Sequence, residues 1–209
     1  PVSVTNNGYH FAETSVSFAY HAKPKLLFAT PTFFSTVGGS KVIISGTSFM
    51  DKPTLGCQFK SVDGNVVVTT ASFISTTMVQ CIVPQLPSSF LGDVSLSMAN
   101  NGQDYGSMSD ALTVTAELAP SVNLVVPASG VTSGGMIAQV YGANFVDRPG
   151  LLSCSFGGKV APGTFISSTH IECEVPPLDL SKKSDASTTQ VRVRVSTDGV
   201  GFGDTGRPF

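Results

Sequence analysis

Ser72-Phe73-Ile74-Ser75-Thr76-Thr77-Met78-Val79-Gln80-Cys81-Ile82-Val83-Pro84 decides the reading of this chain, because the same order of residue types returns as Thr164-Phe165-Ile166-Ser167-Ser168-Thr169-His170-Ile171-Glu172-Cys173-Glu174-Val175-Pro176. The chain is a tandem repeat with a period of about 95 residues. Period-two alternation after each Ser-x-Thr places Val79, Cys81 and Val83 on one strand face, and Ile171, Cys173 and Val175 on the matching one.

Working outward, Leu55-Gly56-Cys57-Gln58-Phe59 and Leu152-Ser153-Cys154-Ser155-Phe156 are further period-two strands. Before them come Val42-Ile43-Ile44-Ser45-Gly46 and Gln139-Val140-Tyr141-Gly142, each preceded by a glycine pair, Gly38-Gly39 or Gly134-Gly135. Leu26 and Phe28 alternate ahead of Pro31, as Val122 and Leu124 do ahead of Pro127. Phe49-Met50-Asp51-Lys52-Pro53 and Phe145-Val146-Asp147-Arg148-Pro149 read as solvated turns. The copies differ in length at two places. Cys57 and Cys81 are 24 apart against 19 for Cys154 and Cys173, and the second copy has a longer loop over 177–187. Such variation belongs on exposed connections, so the shared segments are the core strands.

Residues 1–22 do not open a domain. Val2-Ser3-Val4-Thr5-Asn6-Asn7-Gly8 matches the run ending Asn100-Asn101-Gly102, and Phe18 and Leu112 each stand ten residues past their glycine. Asn-Gly supplies the positive φ of a tight turn. The organisation is therefore 1–22, the last hairpin of a preceding repeat, then domains at 23–117 and 118–209. Gly199 is the third glycine of the set, and Phe209, ten residues on, starts a final strand. A portion of a longer repeat protein is expected, with residues 1–22 as a β-hairpin packed beside the first full repeat. Lys23-Pro24 and Ala119-Pro120 are short junctions that restrict hinge motion.

Composition excludes several classes. Charged residues are 12% and the net charge is −2, too little positive charge to neutralise several phosphates, which argues against nucleic acid as a partner. No stretch of ten residues keeps a 3.6-residue apolar period, so the fold class is all-β. No apolar run reaches the ~18 residues that cross a bilayer, so this segment is not expected to insert in a membrane. Two cysteines per repeat at matching places point to paired disulfides and an oxidising, extracellular or cell-surface location. No Asn-x-Ser/Thr acceptor adds to that.

Reactive side chains are scattered. His10, His21 and His170 have no nucleophile on a supported turn beside them, so no catalytic residue is assigned and no enzyme activity is expected. Asp51 and Asp147 sit in turns, while Asp104, Asp198 and Asp204 flank the closing hairpins. Calcium needs six or more oxygens, and no run gathers them. No metal, cofactor or cofactor-binding residue is assigned.

In sum of motifs, a Pro-led strand, a Gly-Gly turn, Gly-x-x-Phe, Cys-x-Phe, Phe-Ile-Ser-x-Thr and Cys-x-Val-Pro, the chain resembles the immunoglobulin-like, plexin and transcription-factor (IPT/TIG) domain family. Two copies cover 25–209. The resemblance implies tandem immunoglobulin-like β-sandwiches of about seven strands, strung as stalks in receptors and adhesion proteins or placed beside enzymes. The basic recognition loop of the transcription-factor members has no counterpart. Pro127-Ala128-Ser129-Gly130 keeps the family's first turn, whereas Pro31-Thr32-Phe33-Phe34 departs from it and leaves two rings near a domain end.

Inward placement of the four cysteines allows Cys57–Cys81 and Cys154–Cys173 bonds, each contributing about 3 kcal/mol in the chain-entropy account; the other reading is four buried thiols acting as small hydrophobes. Leu27, Phe33, Phe34 and Phe90 are the candidate interface residues, either binding a partner or filling a seam between domains. The functional expectation is a non-catalytic structural or adhesive module of an extracellular repeat protein. Its partners are neighbouring repeats and copies of the same chain, in a filament or surface appendage. The alternatives are an accessory carbohydrate-binding or spacer module of a secreted enzyme, which no Trp and four Tyr weaken, and a receptor stalk.

Overall fold

A computed structural model describes residues 2–12, 16–106, 108–178, 190–202, 207 and 208. Two β-sandwiches follow one another. In the first, β1 (Lys25–Thr30), β2 (Phe33–Ser35), β3 (Lys41–Thr47), β4 (Gly56–Ser61), β5 (Val66–Ser75), β6 (Met78–Ile82), β7 (Gly92–Ala99) and β8 (Leu112–Glu117) form a continuous ladder in the order β1-β3-β6-β5-β4-β7-β8-β2. β5 is long enough to serve both layers. Its first half pairs with β4 and its second half with β6, so the ladder folds over on itself. The second sandwich repeats the plan with β9 (Ser121–Val126), β10 (Ile137–Ala143), β11 (Ser153–Phe156), β12 (Lys159–Ser167), β13 (His170–Glu174), β14 (Arg192–Ser196) and β15 (Arg207–Pro208), in the order β15-β14-β11-β12-β13-β10-β9.

The inner faces are those marked by alternation. Val42, Ile44, Cys57, Phe59, Val79, Cys81, Val94 and Leu96 are wholly enclosed, and Val140, Cys154, Ile171 and Val193 are their counterparts. Cys57 on β4 is joined to Cys81 on β6, and Cys154 on β11 to Cys173 on β13, with Cα atoms 6.3 Å apart in both pairs. Each bridge ties one layer to the other. The five extra residues between Cys57 and Cys81 lengthen the β4–β5 hairpin around Asp63-Gly64, where Val62 is exposed.

Gly-x-x-Phe has a steric cause. A Cβ on Gly46 would lie 2.2 Å from the Lys25 carbonyl oxygen and 2.7 Å from the Phe49 ring; on Gly142 it would lie 1.8 Å from the Ser121 oxygen and 2.7 Å from Phe145. The first strand of each domain crosses where only glycine fits, and the phenylalanine folds back over it. The same crossing shifts the register of β1 between Leu26 and Phe28, and that of β9 opposite Tyr141 and Gly142. The expected Leu26/Phe28 and Val122/Leu124 alternations are corrected here: both Phe28 and Leu124 face outward, because each bulge turns the following residue over.

Residues 2–12 and 16–22 contain no strand. Val2 N–H donates to the Val16 carbonyl at 2.8 Å and Ala12 N–H to the Val4 carbonyl at 3.0 Å, but nearly every side chain is exposed. The packed β-hairpin expected there is replaced by a loosely paired one. A lone hairpin has too little to bury against for a stable ladder. Phe209, Asp204 and most of the 177–187 loop lie outside the described residues.

Candidate functional site

Glu117 ends β8 and Ser121 begins β9, so three residues separate the sandwiches. Two loops of the second domain reach back across this gap. Arg148, in the turn between β10 and β11, lays its guanidinium over the Phe33 ring, 3.5 Å from the centroid, and pairs with the Glu117 carboxylate. Its other amino group donates to the Thr197 carbonyl at 3.4 Å. The Arg148 side chain is 15% exposed and that of Glu117 27%. At such partial burial the ring contact contributes on the order of 0.5–2 kcal/mol.

The second loop follows β14. Asp198 Oδ1 accepts from Ser196 Oγ at 2.9 Å, Val200 N at 3.0 Å and Gly201 N at 2.7 Å, while Oδ2 accepts from Ser40 Oγ and from Ser35 N at 3.4 Å, both in the first domain. Burial pushes this carboxyl's pKa upward, but the bonds from Ser40, Val200, Gly201 and Ser196 outweigh it and hold the group below the ordinary carboxylate value of 3.8. Gly201 is pressed so close that a Cβ would stand 2.9 Å from the Gly38 carbonyl oxygen. Asn144 Nδ2 adds a bond to the Ala119 carbonyl in the linker at 3.1 Å.

The sequence candidates divide. Phe33 lies at the junction beneath Arg148. Phe34 and Phe90 are corrected from exposed to core: both are enclosed in the first sandwich, Phe34 because β2 pairs in parallel with β8 and turns it inward, Phe90 because a 3-10 turn at Ser88–Phe90 tucks its ring under β4. Leu27 is 57% exposed on bulged β1. Arg148, Glu117, Ser40 and Asp198 also meet at the junction, and the local sequence does not by itself mark them as interface residues. Asp147-Arg148-Pro149 reads as a solvated turn, and its arginine becomes a junction residue only when the neighbouring domain is in place. The one sequence signal was the recurrence of Asp-Lys/Arg-Pro in both copies.

His170 stands on the outer face of β13, stacked on Tyr141 with ring centroids 4.4 Å apart and planes 11° from parallel. Its Nε2 meets Gln139 Oε1, and Gln139 Nε2 donates to Glu172 Oε1 at 2.8 Å. Among the described residues no group of three or more His, Cys, Asp or Glu side chains is placed to hold a metal, and no helix is long and apolar enough to cross a membrane.

The IPT/TIG domain model matches residues 24–116 and 120–207. This chain belongs to the IPT/TIG domain family. A probable serine/threonine-protein kinase, drkC, from Dictyostelium discoideum is 35% identical over 78 residues, a match spanning 37% of this chain and 10% of the kinase. Two structures of the Plexin A4 full extracellular region share the fold, one with TM-score 0.51 at 18% identity over 77% of this chain, the other 0.50 at 15% over 99%. The alignments span only 13% and 20% of those plexin chains. In these IPT/TIG sandwiches, Asp198 is a junction residue whose carboxyl departs from its ordinary value. Asp198 binds its proton less readily in the folded turn than in the unfolded chain, so its contribution to stability is fully present above the ordinary value and is lost as pH falls through the lower, folded value. Asp198→Asn, which retains an acceptor for Val200 and Gly201, should flatten that dependence. Amide exchange at Val200 and Gly201, whose N–H groups donate to this carboxylate, reads it across a pH series.

Proposed function

We propose that this chain is a non-catalytic spacer and contact segment of a longer extracellular repeat protein, which holds its domains in fixed orientation and offers their outer sheet faces to protein partners. The observation that carries the reading is the closure of the junction by Arg148 and Asp198 on Phe33, Glu117, Ser35 and Ser40. A three-residue linker with no such contacts would let the domains swing; here two short loops close on a receiving surface. Support for an extracellular setting comes from a disulfide in each sandwich. Support for protein contacts comes from outer faces that carry Leu27, Phe28, Ile74, Met78 and Ile82 in one domain and Leu124, Ile137 and Ile166 in the other, all exposed.

Sedimentation velocity over a concentration series, paired with a glycan array, tests it. Association that weakens when Phe28 and Ile82 are both changed to Ser is the expected result. A glycan hit on a strictly monomeric chain would replace this reading with the carbohydrate-binding one.

A further inference from the structure

The turn at Asp198 occurs three times. Asn7 Oδ1 accepts from Tyr9 N at 3.0 Å and His10 N at 2.9 Å. Asn101 Oδ1 accepts from Gln103 N at 3.1 Å and Asp104 N at 2.9 Å. Asp198 Oδ1 accepts from the amides two and three residues on in the same way. A glycine with positive φ follows each: Gly8, Gly102 and Gly199, at 76°, 69° and 78°. The match places Val2 and Val4 where β7 has Leu96 and Met98, and Phe18 and Tyr20 where β8 has Leu112 and Val114.

Burial at these positions is opposite. Leu96, Met98 and Val114 are enclosed, at 0%, 2% and 1% exposure, with Leu112 packed at the edge of their cluster. Val4, Phe18 and Tyr20 are 67%, 67% and 92% exposed. Positions that form the inner wall of one sandwich thus form an outer surface here. Phe18 and Tyr20 touch each other edge to face, with centroids 4.9 Å apart. The first sandwich has no vacancy for this face, since β7 and β8 already occupy it.

We propose that Val2, Val4, Phe18 and Tyr20 are a docking surface for one kind of partner, an IPT/TIG sandwich of six strands that lacks its last two. The segment supplies those strands, as β7 and β8 do for β1–β6. This rests on the repeat-protein reading and adds the partner's chemistry: an open apolar wall, one layer against the other, with free hydrogen-bonding edges on the strands equivalent to β4 and β2. Phe18 and Tyr20 are bulkier than Leu112 and Val114, so the cognate wall is shallower than that of the first sandwich where they enter.

Two measurements test it. In the 209-residue chain, Val4→Asp with Tyr20→Asp is expected to leave the melting temperature and sedimentation unchanged. A lower melting temperature would mean that the face is packed within the chain, and loss of an oligomer would mean that it holds a second copy; either overturns the proposal. In the second, a further copy of residues 24–95 is placed directly ahead of Val2. Amide exchange at 16–22 should slow by about a hundredfold or more, and the added Cys57–Cys81 pair should resist labelling. A companion with Phe18→Leu and Tyr20→Val matches the volumes of β8 and separates misfit from error. Protection in either chain supports the proposal; exchange as fast as in the 209-residue chain in both overturns it. Failure here would leave the closed junction and the exposed outer faces, on which the proposed function rests, untouched.

Discussion

Phe34→Ala is expected to cost the first sandwich about 3–5 kcal/mol, the range for emptying a buried phenylalanine site. Phe34 is fully enclosed and meets Phe59 edge to face at 5.7 Å and 87°. Its strand is only three residues long and lies at the end of the ladder, so the ring does more than fill volume. It anchors β2 beside β8, and through β2 it holds Ser35 and the Gly38 turn where Asp198 docks. The neighbouring Phe33→Ala should be much milder, since that ring is half-buried and loses chiefly its contact with Arg148. Thermal unfolding of both variants checks the contrast. For a domain of this size, Phe34→Ala should lower the first transition by more than about 10 °C. Equal effects from the two changes would contradict the inward placement of Phe34.

Removing the second bridge, by Cys154→Ala with Cys173→Ala, should cost about 3 kcal/mol in the chain-entropy account for a loop of this length. The same change at Cys57 and Cys81 removes a similar constraint, yet the consequences should differ. Among the described residues the first core encloses Phe34, Phe49, Phe59 and Phe90, and the second only Phe145 and Phe156. The second sandwich therefore starts with less margin, and its loss should appear as a separate, earlier transition in calorimetry. A single unchanged transition in the Cys154/Cys173 variant would show that the bridge is not a principal support.

Periodicity, cysteine placement and the glycine motifs determined the repeat, the all-β class, the inner faces and the residues at each turn. These are local properties: a strand shows its buried face every second residue, and a crossing that admits no Cβ requires glycine wherever it occurs. Tertiary structure alone decided the rest. Nothing local distinguishes Phe33 from Phe34, one half-buried under an arginine of the other domain and one sealed in the core; the difference comes from the parallel pairing of β2 with a strand about 80 residues away. Phe28 was turned outward by a bulge whose cause is the glycine across the sheet. Arg148 and Asp198 stand in turns that would be solvated in an isolated domain. The domain in front of them supplies the ring, the carboxylate and the two serine donors, and that juxtaposition is a property of the packed pair rather than of either repeat.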